Sequence, residues 1–400
     1  MTDRPFKLLL VSNLFPTPHD PERGVFTFQL AKRLQRHCEL TLVCPLPWFP
    51  SFSVFGKIEK YREFSSVPNK YLIDGIEVYS PKYPLLPRIS EKLHAGLMAL
   101  GIRNCITRLH REKHFDAVNS QWLYPDSVAV DDIVKRLGIP HVATGLGCDI
   151  NDFIDAGSRG RRILDMLQNV DRITVVSNGL REELEKHRVP AGKISVIPNG
   201  VDTAQFRLMD KSHCRSRLQL DAGRPLFVYI GRLSPEKSVA TLIEASAQLI
   251  DSGRQLNLAL VGDGPERARL ESLAETLGIG SRVRFVGKVD HAEVGLWMGA
   301  SDFVCLPSIR EGCPNVILEA LGCGRPVVAS RVGAIPDIVS SETGILFTPR
   351  DAGEMARSME IALGRDWDSE AIHDSVQALS WEKAAEKYFE VFVGAKQKSA

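Results

Sequence analysis

No two of the eight cysteines (Cys38, Cys44, Cys105, Cys148, Cys214, Cys305, Cys313 and Cys323) form a Cys-x-x-Cys pair. Their dispersal over 400 residues argues against a zinc module or a disulfide framework, and the expectation is reduced thiols acting as small apolar residues. Charge of one sign is also missing. Fifty basic against 49 acidic residues leave a formal net charge of +1, which speaks against a dedicated nucleic-acid binder. The opening "MTDRPFKLLLVSNLF" has too short an apolar run for a signal peptide, and no stretch reaches about 18 uninterrupted apolar residues, the length of a membrane-spanning helix. The expected location is the cytoplasm. Long repeats and low-complexity segments are absent too.

What the chain does have is alternation. Short runs rich in Val, Ile and Leu, such as "KLLLVS" (7–12), "ELTLVC" (39–44), "HVATG" (141–145), "LFVYIG" (226–231), "DFVCLP" (302–307) and "PVVAS" (326–330), are separated by stretches with helical spacing. Phe26–Leu34, Val239–Ile250, Glu266–Leu277 and Glu354–Ala362 are examples of the latter. Apolar runs of four to six residues between helices are what a parallel sheet covered on both faces requires. The pattern occurs twice. The expected class is therefore α/β, with two Rossmann-like doubly wound domains, 1–197 and 198–379. The boundary falls in the polar stretch that begins "IPNGVDTAQF" and ends at Gly223 and Pro225. Residues 380–400 carry Trp381, Ala384, Ala385, Tyr388, Phe389 and Phe392 on one stripe, so they should form an amphipathic helix that returns to the first domain.

One segment concentrates the chemistry. In "EGCPNVILEALGCG" (311–324), Glu311 and Glu319 stand on either side of a helix start, with Pro314 expected at its first position. The free amides from about Asn315 and Val316 would face an anion there, favoured by the partial positive charge of a helix N-terminus. Asn315 and Glu319, four apart, share a face. Across the same domain, "YIGRLSPEKS" places Gly231 and Arg232 directly after a strand and Lys237 where the next helix opens. The carboxyl edge of an open sheet is where ligands bind, and these two cations can neutralise a diphosphate there without a metal. The plainer alternative is a solvated acid, a buried acid paired elsewhere, a capping Arg and a solvated Lys.

Together, "GRLSPEK", "LVGDGPERARLE", "SIREGCPNVILEALGCGRPVVASRVGAIPDIV" and "IPNGVDTAQF" resemble the retaining nucleotide-sugar glycosyltransferases of family 4, which have the GT-B fold of two facing domains. The resemblance implies transfer of a sugar from a nucleotide diphosphate to an acceptor hydroxyl on a glycan or lipid-linked molecule, with no cofactor or metal. It assigns Glu319 to the ribose hydroxyls, Glu311 to the donor sugar, and Arg232 and Lys237 to the diphosphate and the departing nucleotide. Asn315 and Val316 amides complete the cradle, Gly24 approaches the phosphates from the first domain, and Gly262 lies near the base.

Relatives carry His-Gly-x-Asp after a strand of the first domain. Here the segment reads "TGLGCDIND", with Leu146 in place of the His and Gly147 and Asp149 kept as candidates for the acceptor side. His19, in the long loop after the first strand, is read as an exposed residue rather than a substitute. "DWD" (366–368) mimics the metal-binding Asp-x-Asp of the other glycosyltransferase fold but is read as a turn.

The basic, apolar segment Tyr83–Phe115 (with Arg88, Lys92, Arg103, Arg108, Arg111 and Lys113) is read first as a helix packed on its own sheet. Peripheral contact with an anionic membrane surface is the second reading. The aromatic, Pro-rich loop 45–57 suits an acceptor site. Rival functions are a sugar-nucleotide epimerase or phosphorylase on the same scaffold, and a silent nucleotide-sugar-binding protein that Leu146 would favour.

Overall fold

The computed structural model describes residues 4–48, 59–85, 93–221 and 223–399. The chain divides into two compact units, 1–198 together with 381–400, and 199–380.

The first unit is built on strands β1 (Lys7–Val11), β2 (Glu39–Val43), β3 (Leu46–Trp48), β4 (Lys70–Ile73), β5 (Ile76–Tyr79), β6 (Lys82–Pro84), β7 (Ala117–Gln121), β8 (His141–Gly145), β9 (Arg172–Val175) and β10 (Ile194–Val196). Eight of them form one sheet in the order β10-β9-β8-β7-β1-β2-β5-β4, parallel except for β4 against β5. Leu8, Leu9, Leu10 and Val11 are fully buried on both faces of β1, as a sheet covered on both sides demands.

The strands not expected from the sequence are β3, β4 and β6. β3 and β6 form a separate short pair in which Pro47 stands opposite Tyr83. β4 is an edge strand that is not fully buried at any position. The signal for β4 was present: Asp74 and Gly75, both at positive φ, make the turn between two alternating runs.

The 381–399 helix returns to this unit. Trp381, Ala385, Tyr388 and Phe392 enter its core beside Leu8, Leu30, Leu34 and Leu42, and Phe389 meets Phe6 edge-on with ring centroids 5.4 Å apart. Lys396 Nζ donates to buried Asp116 at 2.7 Å, and Arg33 Nε to Glu382 at 3.0 Å.

The second unit holds β11 (Leu226–Ile230), β12 (Asn257–Val261), β13 (Val283–Gly287), β14 (Phe303–Leu306), β15 (Val327–Ser330) and β16 (Gly344–Phe347). They form a parallel sheet in the order β13-β12-β11-β14-β15-β16. Strand order reverses between β11 and β14 here, and between β1 and β7 in the first unit. Those are the switch points at whose carboxyl ends open α/β sheets bind ligands. Among the described residues no helix is long and apolar enough to cross a membrane.

Candidate functional site

The loops leaving β11 and β14 flank the switch point of the second unit, and they carry the charged groups singled out in the sequence. Gly231 and Arg232 follow β11; Ser308 and Glu311 follow β14. Lys237 lies in the short turn Pro235–Lys237, and its Nζ donates to Glu311 Oε1 at 2.6 Å. Ser308 Oγ donates to the same oxygen at 2.6 Å. Backbone bonding fastens the two loops together, the Ile309 amide donating to the Glu236 carbonyl at 2.8 Å.

Arg232 is exposed, and its guanidinium has no hydrogen bond or ion pair among the described residues. The backbone beneath it is fixed instead. The buried Tyr229 hydroxyl donates to the Arg232 carbonyl at 2.8 Å. Burial, with Glu311 and Glu236 nearby, pushes that phenol well above its ordinary pKa, so it stays a donor.

The helix after Glu311 runs Asn315–Gly322. Pro314 is not its first residue as expected. Its ψ of 112° is extended, and it stands immediately before the helix. The opening amides of Asn315 and Val316 have no acceptor within that helix. Asn199, at the start of the unit, orients this end: its Nδ2 donates to Asn315 Oδ1 at 2.8 Å and to the Cys313 carbonyl at 3.2 Å. The sequence pattern marked "IPNG" only as a turn, and this cross-chain role of its Asn was not read from it.

Glu319, one turn further on, is half-buried. Burial pushes its pKa up to about 7. Its carboxyl has no hydrogen-bond or ion-pair partner among the described residues. The structure thus brings Arg232, Lys237 and Glu311 together on two adjoining loops, with the helix carrying Asn315, Val316 and Glu319 directly following.

Gly231 and Gly262 pack on one another: the Gly231 amide donates to the Val261 carbonyl at 2.9 Å, and a Cβ on Gly262 would lie 1.9 Å from the Gly231 carbonyl oxygen. Gly262 therefore serves the packing of two strand ends. Gly333, at φ 56°, presses on the Glu311 loop in the same way, where a Cβ would meet the Glu311 carbonyl oxygen at 2.4 Å.

In the first unit, Gly24 and Asp149 are both engaged by the chain's own loops. Gly24, at φ 60°, precedes the Val25–Leu34 helix, and a Cβ there would lie 2.1 Å from the Leu14 carbonyl oxygen. The close approach that demands glycine is to the chain's own loop. Asp149 is fully buried and accepts from the amides of Leu123 (2.8 Å), Leu146 (3.0 Å) and Gly147 (2.8 Å). Its carboxyl group is engaged in shaping the loop that holds Leu146 and Gly147. His19 is exposed and its Nε2 meets Ser66 Oγ at 2.9 Å.

"DWD" is an irregular connection between two helices: Asp368 caps the Ser369–Ser375 helix, and Trp367 Nε1 donates to the Ala362 carbonyl at 3.0 Å. Among the described residues, the side chains grouped closely enough to hold a metal are Asp155, Glu183 and His187 of the first unit, and Lys186 already pairs with Glu183 at 2.9 Å. Arg88, Lys92 and residues 49–57 of the aromatic loop lie outside the described residues.

Comparison with known proteins decides the family. One family model, described as Glycosyltransferase Family 4, matches residues 24–205, and another, described as Glycosyl transferases group 1, matches residues 224–365. The chain is a family 4 glycosyltransferase. TuaC of Bacillus subtilis, a glycosyltransferase named for teichuronic acid biosynthesis, is 28% identical over 360 residues, 88% of each chain. A D-inositol 3-phosphate glycosyltransferase of Frankia alni is 31% identical over 271 residues, covering 63% of this chain and 66% of that one. Among solved structures, sucrose-phosphate synthase from Thermosynechococcus elongatus aligns with a TM-score of 0.78 at 22% identity, over 98% of this chain and 100% of that one. HepE of Anabaena in complex with UDP aligns with a TM-score of 0.66 at 21% identity, over 98% of each chain. These likenesses show the GT-B fold of this glycosyltransferase.

Proposed function

We propose that this glycosyltransferase moves a sugar from a nucleotide diphosphate to an acceptor hydroxyl with the anomeric configuration kept. The observation that carries the reading is the convergence of Arg232, the Lys237–Glu311 pair and the open amides of Asn315 and Val316 at a switch point of the second unit. Positive charge of three kinds meets there: a planar fork, a point charge and a helix start. That set can stabilise the charge growing on a departing diphosphate, which is the electrostatic work the transition state needs. It supplies this charge from the protein, so the proposed reaction is metal-independent and needs no cofactor. Binding of nucleotide ligands by the named relative HepE agrees with this reading.

Glu311 accepts from both Lys237 and Ser308 through one oxygen, which favours a positioning and sugar-orienting role over attack on the anomeric carbon. The leaving phosphate oxygen then assists deprotonation of the acceptor on the same face. In this reading Glu319, whose carboxyl has no partner among the described residues, accepts from ribose hydroxyls.

The proposed acceptor is a glycan or lipid-linked molecule met by the first unit, in a polysaccharide-building reaction. The His94–Lys113 helix buries Ala95, Met98, Ile102, Ile106 and Leu109 against its own unit, and it exposes Leu100, with the adjoining Leu93, beside Arg103, Arg108 and Arg111. That outer face suits an anionic bilayer. Flotation with vesicles of anionic lipid at low salt tests it, and failure to float removes the membrane contact.

The reaction itself is tested by incubating the protein with labelled nucleotide sugars and acceptors in chelator. A product whose anomeric centre matches the donor's supports the reading. Inversion of that centre, or a strict need for added metal, refutes it, and conversion of the sugar without acceptor would mark an epimerase.

A further inference from the structure

Two carboxylates and an imidazole of the first unit face one another, and none of the roles above uses them. Glu183 and His187 stand four apart across the end of the Asn178–Lys186 helix, a spacing that puts both side chains on one face. Asp155 comes from another part of the chain, the connection that follows the short Cys148–Asn151 helix. His187 Nε2 lies 3.5 Å from Asp155 Oδ1 and 3.5 Å from Glu183 Oε1. The three ligand atoms all lie within 4.8 Å of one another.

Both imidazole distances exceed the roughly 2.7–3.2 Å of a nitrogen–oxygen hydrogen bond, and one N–H cannot point at two carboxylates at once. They match instead the separation of neighbouring ligands around a tetrahedral zinc ion, about 3.4 Å when each bond is about 2.1 Å long. The donor set agrees with the spacing. Imidazole nitrogen and carboxylate oxygen are both zinc ligands, and a set of three leaves the fourth position to water.

Lys186 does not occupy the place of the ion. Its Nζ pairs with Glu183 Oε2 at 2.9 Å, while Oε1 is the oxygen turned toward His187. Glu183 and His187 are half-buried and Asp155 is exposed, so an ion arriving from solvent can reach all three.

We propose that Asp155, Glu183 and His187 form a zinc site that clips the chain following the Cys148–Asn151 helix onto the Asn178–Lys186 helix. The Cys148–Asn151 helix, which carries Asp149, already packs on that longer helix, and the ion adds a second point of attachment beyond it. Its work is structural. The three ligands are separate from the groups proposed to stabilise the departing diphosphate, so the inference goes beyond the transfer reaction and leaves that reaction metal-independent.

The test is a calorimetric titration of zinc chloride into the full chain, stripped with chelator and dialysed. One zinc ion per chain should bind with micromolar or tighter affinity. His187→Gln and Asp155→Asn should each weaken that binding by about tenfold or more. Lys186→Ala, which frees Glu183 from a neighbouring cation, should leave it unchanged or tighten it. Zinc should also raise the melting temperature of the wild type and not that of His187→Gln. Cobalt in place of zinc should show the visible absorption of a tetrahedral nitrogen–oxygen site.

Equal zinc affinity with and without the His187 imidazole, or no binding at all, overturns the site. Sulfur-to-cobalt charge-transfer absorption would place the ion on a cysteine and overturn it too. Asp155→Asn, at an exposed position, decides the matter if circular dichroism shows that His187→Gln does not fold. Sugar transfer by the stripped protein in chelator is expected whether or not zinc binds, and its absence would count against the transfer reading instead.

Discussion

Glu319 is the residue whose protonation should report most clearly on the site. Its folded pKa, about 7, lies above the ordinary value of 4.5, because burial disfavours the charged form. Between those values the folded protein holds a proton that the unfolded chain has lost. Stability therefore falls as pH rises from about 4.5 through 7. Urea unfolding of the wild type and Glu319→Gln at pH 5 and pH 7.5 should show this loss in the wild type and a smaller one in the variant. Ribose hydroxyls donating to the carboxylate would favour its ionised form. Nucleotide affinity should then rise with pH across neutrality in the wild type, relative to Glu319→Gln, and the variant should bind about tenfold more weakly at pH 8. Equal affinities there would remove Glu319 from the ribose. Arg232→Ala should instead lower kcat by roughly a hundredfold with a smaller change in KM, the mark of a contact strengthened in the transition state. The positions of these residues after a strand and beside a helix start were legible, because both elements could be placed from apolar spacing. The Lys237–Glu311 pair was not, since a bond across 74 positions depends on how two loops pack. The packing of Gly24 on Leu14 was not legible for a similar reason: Leu14 belongs to a loop whose path sequence spacing does not fix.

At the scale of elements, the donor site depends on how firmly the Asn315–Gly322 helix and the Glu311 loop are held. Asn199 fastens the helix start with two hydrogen bonds from one amide group. Asn199→Ala should cost on the order of 1–2 kcal/mol in chemical unfolding and also weaken nucleotide binding. Asn199→Ala with full nucleotide affinity would show that the helix start is fixed by other contacts. Gly333→Ala puts a Cβ against the Glu311 carbonyl at a positive φ. The loop has to shift, so kcat/KM should fall by more than tenfold while the fold survives, as checked by circular dichroism and kinetics. The central strands β1, β11, β14 and β15 were readable as bare apolar runs because both their faces are buried. β3, β4 and β6 escaped notice because each is three or four residues long, and β4 is half-solvated at an edge, where no continuous run is needed.

For the whole molecule, the chain folds as two units, with its last helix completing the first. The apolar stripe of residues 381–399 made that helix readable, and its pairing with the first unit follows from the stripe needing a core to enter. Phe392 is fully buried there. Phe392→Ala should destabilise the first unit by about 3–5 kcal/mol in a urea titration. Nucleotide binding by the second unit should persist below the first unit's transition. The decisive measurement for the chain as a glycosyltransferase is a crystal structure of it soaked with a nucleoside diphosphate. The diphosphate should lie on the Asn315 and Val316 amides, within hydrogen-bond reach of Arg232 and Lys237, with the ribose hydroxyls on Glu319. A nucleotide bound anywhere else, or one in this place leaving Glu319 without a contact, would contradict the assignment.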